Sequence, residues 1–215
     1  MNAGWRVGGL AGCLILTVAA SASAQLKKAA NALGAAAEAK ATKKATDRYD
    51  PAFQKYTKRY FGVGFDWRPF KAQGMAESNL KATARSRVGA RGIMQLMPST
   101  FQVIQTARPD FKSIDDPEHN IAAGIMHDRY LWTLYPTAPG DERLRFMFAA
   151  YNAGEVTIKR ARTTAAKENL DAEVWTSVEA VAPKVKPWRY QETLGYIKTI
   201  DANRAKLSSK APPSD

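Results

Sequence analysis

The chain has 215 residues, 45% hydrophobic and 24% charged, proportions that suit one soluble domain with a real core plus appendages. Its single cysteine, Cys13, excludes an internal disulfide. The formal net charge of +12 favours an anionic partner, whether nucleic acid, an acidic lipid surface or an acidic polymer such as a cell wall, and charge alone does not choose among them.

Residues 1–24 read as an export signal. Arg6 supplies a positive start, residues 7–20 are nearly free of polar side chains, and Ala22-Ser23-Ala24 gives the small-x-small pattern cleaved before Gln25. The apolar run is short for a spanning helix, which needs about 20 residues. The expectation is therefore a cleaved signal and a periplasmic destination. Leu10-Ala11-Gly12-Cys13 resembles a lipobox, which leaves a lipoprotein anchored through Cys13 as the alternative, although the longer apolar stretch follows the cysteine.

Residues 25–48 form an Ala/Lys-biased leader with almost no large apolar side chain. Ala and Lys favour helix, but no core-facing stripe is present, so this segment reads as a solvated helical or disordered leader. Its cations would hold the protein near an acidic wall or membrane, or it is a tether with no specific partner.

The folded domain is expected over residues 49–204, with a polar tail at 205–215. Asp50-Pro51 fits a helix start, followed by Phe53, Tyr56, Thr57 and Tyr60 at helical spacing. Gly62 and Gly64 end that helix. Asp66-Trp67-Arg68-Pro69 starts a second, running through Phe70 and Ala72 to Met75, Ala76 and Glu77. Pro98-Ser99-Thr100 opens a short helix carrying Phe101, Ile104 and Gln105. Asp116-Pro117-Glu118 is another capped start, with acids at the positive end of the helix dipole, and Ile121, Ala122, Ile125 and Trp132 point inwards. Leu144, Met147, Phe148 and Tyr151 make one stripe, and Gly154 suits a left-handed helix-ending position. Further helices are expected over 156–162, 174–181 and 190–200. No period-2 strand and no internal repeat is found, so the fold class is all-α.

Between these elements, residues 71–100 carry the chemistry. Glu77 and Ser78 stand near the end of an apolar helix, before a loop rich in Gly, Arg and Ser and a compact apolar knot, Gly92-Ile93-Met94-Gln95-Leu96-Met97-Pro98. Glycosidic cleavage needs a proton delivered to the leaving oxygen, usually from a carboxylic acid of raised pKa, and a glutamate at a helix end facing a cleft meets that need. On its own the signal is weak, because a helix-end glutamate is usually a solvated surface residue. His119 and His127 lie eight residues apart with no cysteine in support, so no zinc site is read. No phosphate-binding glycine loop is present, and no cofactor is expected.

The surrounding motifs add a resemblance. Glu77-Ser78-Asn79-Leu80, Ser86, and 89–98 (Gly-Ala-Arg-Gly-Ile-Met-Gln-Leu-Met-Pro) resemble the lysozyme-like domain of the soluble lytic transglycosylase (SLT) family. Asn120-Ile121-Ala122-Ala123-Gly124, Ala150-Tyr151-Asn152-Ala153-Gly154 and Glu192-Thr193-Leu194-Gly195-Tyr196 follow in the family's order, with Leu194 where Arg is common. The resemblance implies a helical domain with a cleft, in which Glu77 is the sole catalytic acid/base acting on peptidoglycan glycan strands. Glu77 would protonate the oxygen between N-acetylmuramic acid and N-acetylglucosamine, then accept the C6 hydroxyl proton as a 1,6-anhydro ring closes on C1. With the substrate supplying its own nucleophile, no second protein carboxylate is needed.

The same resemblance implies substrate-binding roles for Ser78, Ser86, Met94, Gln95, Tyr151 and Asn152. Plainer readings stand beside these: capping for Ser78, core packing for Met94, helix ending for Asn152. Glu192 is either a second cleft acid or an interhelical pairing group, and Tyr196 is either cleft wall or core. Peripheral or lipid-mediated membrane association remains an expectation. The rivals are a hydrolytic muramidase on the same fold, as in goose-type lysozymes, a non-catalytic wall-binding module, and a nucleic-acid binder supported by charge alone. Export and the lack of a basic recognition helix count against the last, so no nucleic-acid partner is expected.

Overall fold

The computed structural model describes residues 25, 27–37 and 47–209. The export signal, Cys13 and residues 210–215 of the tail lie outside the described residues. Contacts divide the chain into two units, Met1–Arg48 and Tyr49–Asp215. In the first unit, residues 27–37 are an exposed helix, α1.

The second unit is helical. Its α-helices are α2 (Asp50–Phe61), α3 (Arg68–Ser78), α4 (Pro98–Ala107), α5 (Pro117–Thr133), α6 (Gly140–Ala153), α7 (Glu155–Lys167), α8 (Trp175–Val181) and α9 (Tyr190–Ser208). Among the described residues the only β pairing is two isolated bridges, Arg85 with Arg91 and Arg91 with Leu96, which fold the knot back on itself. No described helix is long and apolar enough to cross a membrane.

The starts follow their proline signals, with shifts of a residue. Asp116 caps α5, its carboxylate accepting from the His119 N–H at 2.8 Å. Asp66 instead sits one residue outside the α3 cap, Trp67, and accepts from the Arg68 N–H at 3.1 Å. Tyr49 rather than Asp50 is the α2 cap residue. Gly154 departs from expectation: its φ of 84° is positive, but its ψ of 140° lies outside the left-handed helical region. Only this single residue separates α6 from α7, so it turns the chain directly from one helix into the next.

The core holds Phe53, Phe70, Ile121, Ile125, Phe146 and Met147, all without solvent exposure. Each such side chain contributes roughly 2 kcal/mol of burial. α3 packs along α9, and α5 packs against both α2 and α6. Phe61 and Phe65 bring their ring centroids to 4.7 Å and meet the edge of Trp132 at 5.8 and 5.5 Å, which closes the end where α2 turns into α3.

Candidate active site

α3 ends with a sharp reversal. Asn79 and Leu80 take φ of 52° and 59°, and the Leu80 N–H returns to the Gly74 carbonyl at 3.3 Å, satisfying a helix-end acceptor. This fixes Glu77 in the last turn. The Ser78 hydroxyl donates to the Ile93 carbonyl at 2.8 Å and, less closely, to Gly74 at 3.4 Å. Ser78 therefore ties the end of α3 to the knot, so that the capping and packing reading describes its contacts.

The knot is held from below by α5. Asn120 is fully buried. Its Oδ1 accepts from the Met94 N–H at 2.8 Å, while its Nδ2 donates to Arg91 at 3.0 Å and Ile114 at 2.9 Å. One turn on, Gly124 leaves room for Met94: a Cβ there would lie 2.7 Å from Met94 Cγ. Gly92 has a φ of +77°, and a Cβ on it would meet Asn120 Nδ2 at 2.4 Å. The Asn-Ile-x-x-Gly spacing thus places an amide and a gap on one helix face, one for the knot's backbone and one for its methionine.

Met94 is correspondingly a core residue. It has no exposed surface, so its contacts are those of the core-packing reading. Its carbonyl does serve the site by accepting from the Tyr151 hydroxyl at 2.8 Å. Gln95 is half-buried at a φ of 44°, and its Nε2 donates to the Gly92 carbonyl at 2.9 Å. Ser86 Oγ accepts from the Ala90 N–H at 2.9 Å. Both polar groups brace the loop's own backbone. A non-glycine residue held at positive φ, as Gln95 is, concentrates at functional sites.

Glu77 is the electrostatic centre. Burial disfavours its charged form, and the Tyr196 hydroxyl, donating to Oε1 at 2.5 Å, favours it. Burial prevails, and the pKa rises from 4.5 to about 7. Tyr151 and Tyr196 are both raised well above the usual phenol range, by burial first and then by the negative charge of Glu77. Both phenols stay protonated and are donors. Tyr196 is the residue that sequence reasoning left open between cleft wall and core. Its position in the Glu-Thr-x-x-Tyr motif was visible, but neither the motif nor its periodicity showed where the hydroxyl points.

Asn152 is exposed at the end of α6. Its Oδ1 accepts from Thr193 Oγ1 at 2.8 Å, and Thr193 in turn accepts from Trp188 Nε1 at 3.0 Å. These residues line a cavity of about 480 Å³ together with Arg189 and Glu192. Glu77 does not line it, but Thr193 lies one turn from Tyr196 on α9. Glu192 pairs with Arg189 at 3.1 Å, so it is not a free second acid. Among the described residues, no group of three or more His, Cys, Asp or Glu is placed to hold a metal ion.

The transglycosylase SLT domain model matches residues 51–174, from α2 up to the start of α8. The membrane-bound lytic murein transglycosylase F of Shewanella pealeana is 30% identical over 151 residues, 69% of this chain and 29% of that protein. The protein of the same name from Stutzerimonas stutzeri is 31% identical over 172 residues, 77% of this chain and 33% of that one. The chain thus spans about a third of these curated relatives. Among solved structures, the 70 kDa soluble lytic transglycosylase of Escherichia coli superposes with a TM-score of 0.57 at 28% identity, covering 73% of this chain and 23% of that one. A complex of the 70-kDa soluble lytic transglycosylase with bulgecin A gives 0.57 at 26% identity, covering 78% and 25%. These matches agree with the lysozyme-like helical architecture, and since the family model covers more than half of its residues, the chain belongs to the transglycosylase SLT domain family.

Proposed function

We propose that the protein is a peptidoglycan lytic transglycosylase. It cleaves the β-1,4 bond between N-acetylmuramic acid and N-acetylglucosamine without water, and Glu77 does the proton work alone. The observation that carries this reading is the Glu77 carboxyl, raised to about 7 by burial and gripped by Tyr196. Near neutral pH, such a group gives a proton readily and takes one back. Both halves of the reaction need that: first donation to the leaving oxygen, then acceptance from the C6 hydroxyl as the anhydro ring closes.

Tyr196 keeps the carboxylate formed after the first step supplied with a phenol donor, while the Tyr151 hydroxyl is held by the Met94 carbonyl. Asn152 and the Trp188–Arg189 cavity offer hydrogen bonds and a ring face to a neighbouring sugar. Ser78, Ser86 and Gln95 hold the wall's shape through backbone contacts. The place of action is the periplasm, reached through the export signal of residues 1–24, and the substrate is the glycan strand of the wall. The names of the relatives, murein transglycosylases described as membrane-bound, support this reading.

Digestion of purified sacculi followed by mass spectrometry tests it. Anhydro-muramyl products, lighter than hydrolysis products by one water, are expected. Reducing-end products alone would establish the hydrolytic muramidase instead. Glu77→Gln keeps the shape and removes the acid; turnover is expected to fall about 10²–10⁴-fold with binding to sacculi retained. Undiminished turnover would remove Glu77 from the mechanism.

A further inference from the structure

A second carboxyl lies behind the first. Asp128 on α5 is fully buried, and so is Gln73, which stands four residues before Glu77 on the same face of α3. Gln73 Nε2 donates to Asp128 Oδ1 at 3.2 Å. The other oxygen of each side chain, Gln73 Oε1 and Asp128 Oδ2, is buried and finds no hydrogen-bond partner among the described residues. Two acceptors left over by two planar groups that already share one hydrogen bond form a specific pattern. One proton between them completes a ring of two hydrogen bonds, whereas an ionised Asp128 leaves both oxygens bare in the core, which is strongly unfavourable.

We propose that Asp128 is a neutral carboxylic acid whose Oδ2 donates to Gln73 Oε1, and that this cyclic acid–amide pair is a positioning device that keeps the ground beneath Glu77 free of negative charge. The electrostatics agree. Burial pushes the Asp128 carboxyl well above the usual range; the Gln73 hydrogen bond opposes it with less effect, and the charge of Glu77 adds a smaller push in the same upward direction. The titratable groups facing it are Glu77 on α3, Tyr151 on α6 and Tyr196 on α9, all neutral or anionic. On α5 itself, His127 is the adjacent residue, and burial lowers its pKa towards the neutral imidazole. Glu77 therefore loses its proton first and Asp128 keeps its own. The carboxylate produced in catalysis then meets the Tyr196 donor and a neutral acid instead of a like charge.

The assignment of the proton stands whether or not Glu77 cleaves glycan; only its catalytic purpose rests on the proposed function. Carbon-13 labelling of the Asp and Glu side-chain carboxyls reads it directly. The Asp128 resonance, assigned by its loss in Asp128→Asn, is expected to stay at the protonated position from pH 4 to pH 8 while Glu77 titrates near 7. Asp128→Asn presents an amide where the acid stood, with Nδ2 donating to Gln73, so the Glu77 midpoint is expected to hold. An Asp128 signal in the ionised position at pH 6 would overturn the proposal. So would a fall of about one pH unit or more in the Glu77 midpoint on Asp128→Asn, because it would mean that a charge had been holding Glu77 up.

Stability gives a second readout. A carboxyl whose folded pKa is raised contributes fully below its unfolded value near 4, and that contribution is lost as pH rises towards the folded value. The melting temperature of Asp128→Asn is therefore expected to gain on the parent protein progressively between pH 4 and pH 8, and a constant difference would count against the pair. If the variant fails to fold, the pH series on the parent protein still decides, the Asp128 signal then being assigned by through-bond correlation. If sacculi are not cut at all, the proposed function falls while the carboxyl resonances still judge the proton.

Discussion

At the scale of single residues, the behaviour of Glu77 is a contest between burial and one phenol. Tyr196→Phe removes the donor that favours the carboxylate, so the Glu77 pKa is expected to climb above its value of about 7. The alkaline limb of the kcat/KM profile would move to higher pH, while the rate falls roughly tenfold through loss of a charge-assisted hydrogen bond. A pH–rate series on both proteins checks this; an unmoved limb would mean that the 2.5 Å contact does not tune the acid. The same raised pKa makes Glu77 a liability to the fold. Its stabilising contribution is present below about pH 4.5 and is lost as pH rises through about 7. Glu77→Gln is therefore expected to be more stable than the parent at pH 8, by about 1–3 kcal/mol, with the gap closing at pH 4 in thermal melts. Glu77, Tyr151 and Tyr196 were visible as members of motifs. The Tyr196–Glu77 contact and the Gln73–Asp128 pair were not, because a hydrogen bond spanning 119 or 55 residues leaves no periodic trace in the chain.

At the scale of elements, proline and acid signals located the helix starts well, because they act through local backbone chemistry. The ends were harder to read. α9 extends to Ser208, beyond the expected limit near residue 200, and Gly154 joins two helices where a left-handed cap was expected. Long-range docking decides such ends: Asn203 Nδ2 donates to the Ala72 carbonyl at 3.3 Å, Arg204 pairs with Asp141 at 2.8 Å, and Arg145 with Asp201 at 3.3 Å. The knot shows the same dependence. Its apolar residues were visible, but its support by Asn120 was hidden in a motif read only by likeness. Asn120→Ala removes three hydrogen bonds and strands the buried Met94 N–H. A loss of roughly 3 kcal/mol is expected, a drop in Tm of roughly 6–12 °C. Asn120→Asp is expected to do little better, since a carboxylate cannot donate to Arg91 and Ile114. Calorimetry distinguishes these losses from a Tm left unchanged.

For the molecule as a whole, the charge of +12 is a statement about encounter rather than about chemistry. Residues 25–48 hold six basic side chains against two acidic ones, and they fall in a unit separate from the helical domain. A chain beginning at Asp47 is expected to keep the domain's Tm but to bind sacculi less tightly at low ionic strength. Salt should narrow the difference, because surface attraction is screened over about 8–10 Å in 0.1–0.15 M salt. Co-sedimentation across a salt series measures this, and identical curves would show the leader to be a plain tether.

Tyr196 also gives the order of synthesis a chemical meaning. The acid is made early in the chain, and the phenol that grips it arrives 119 residues later, on the last helix. Until that helix has emerged and docked along α3, Glu77 has neither its partner nor the seal that buries it, and its proton affinity is that of an ordinary surface glutamate. A nascent or clipped chain that lacks α9 therefore holds the acid without the surroundings that raise its pKa, and on the proposed function it would not yet cut glycan.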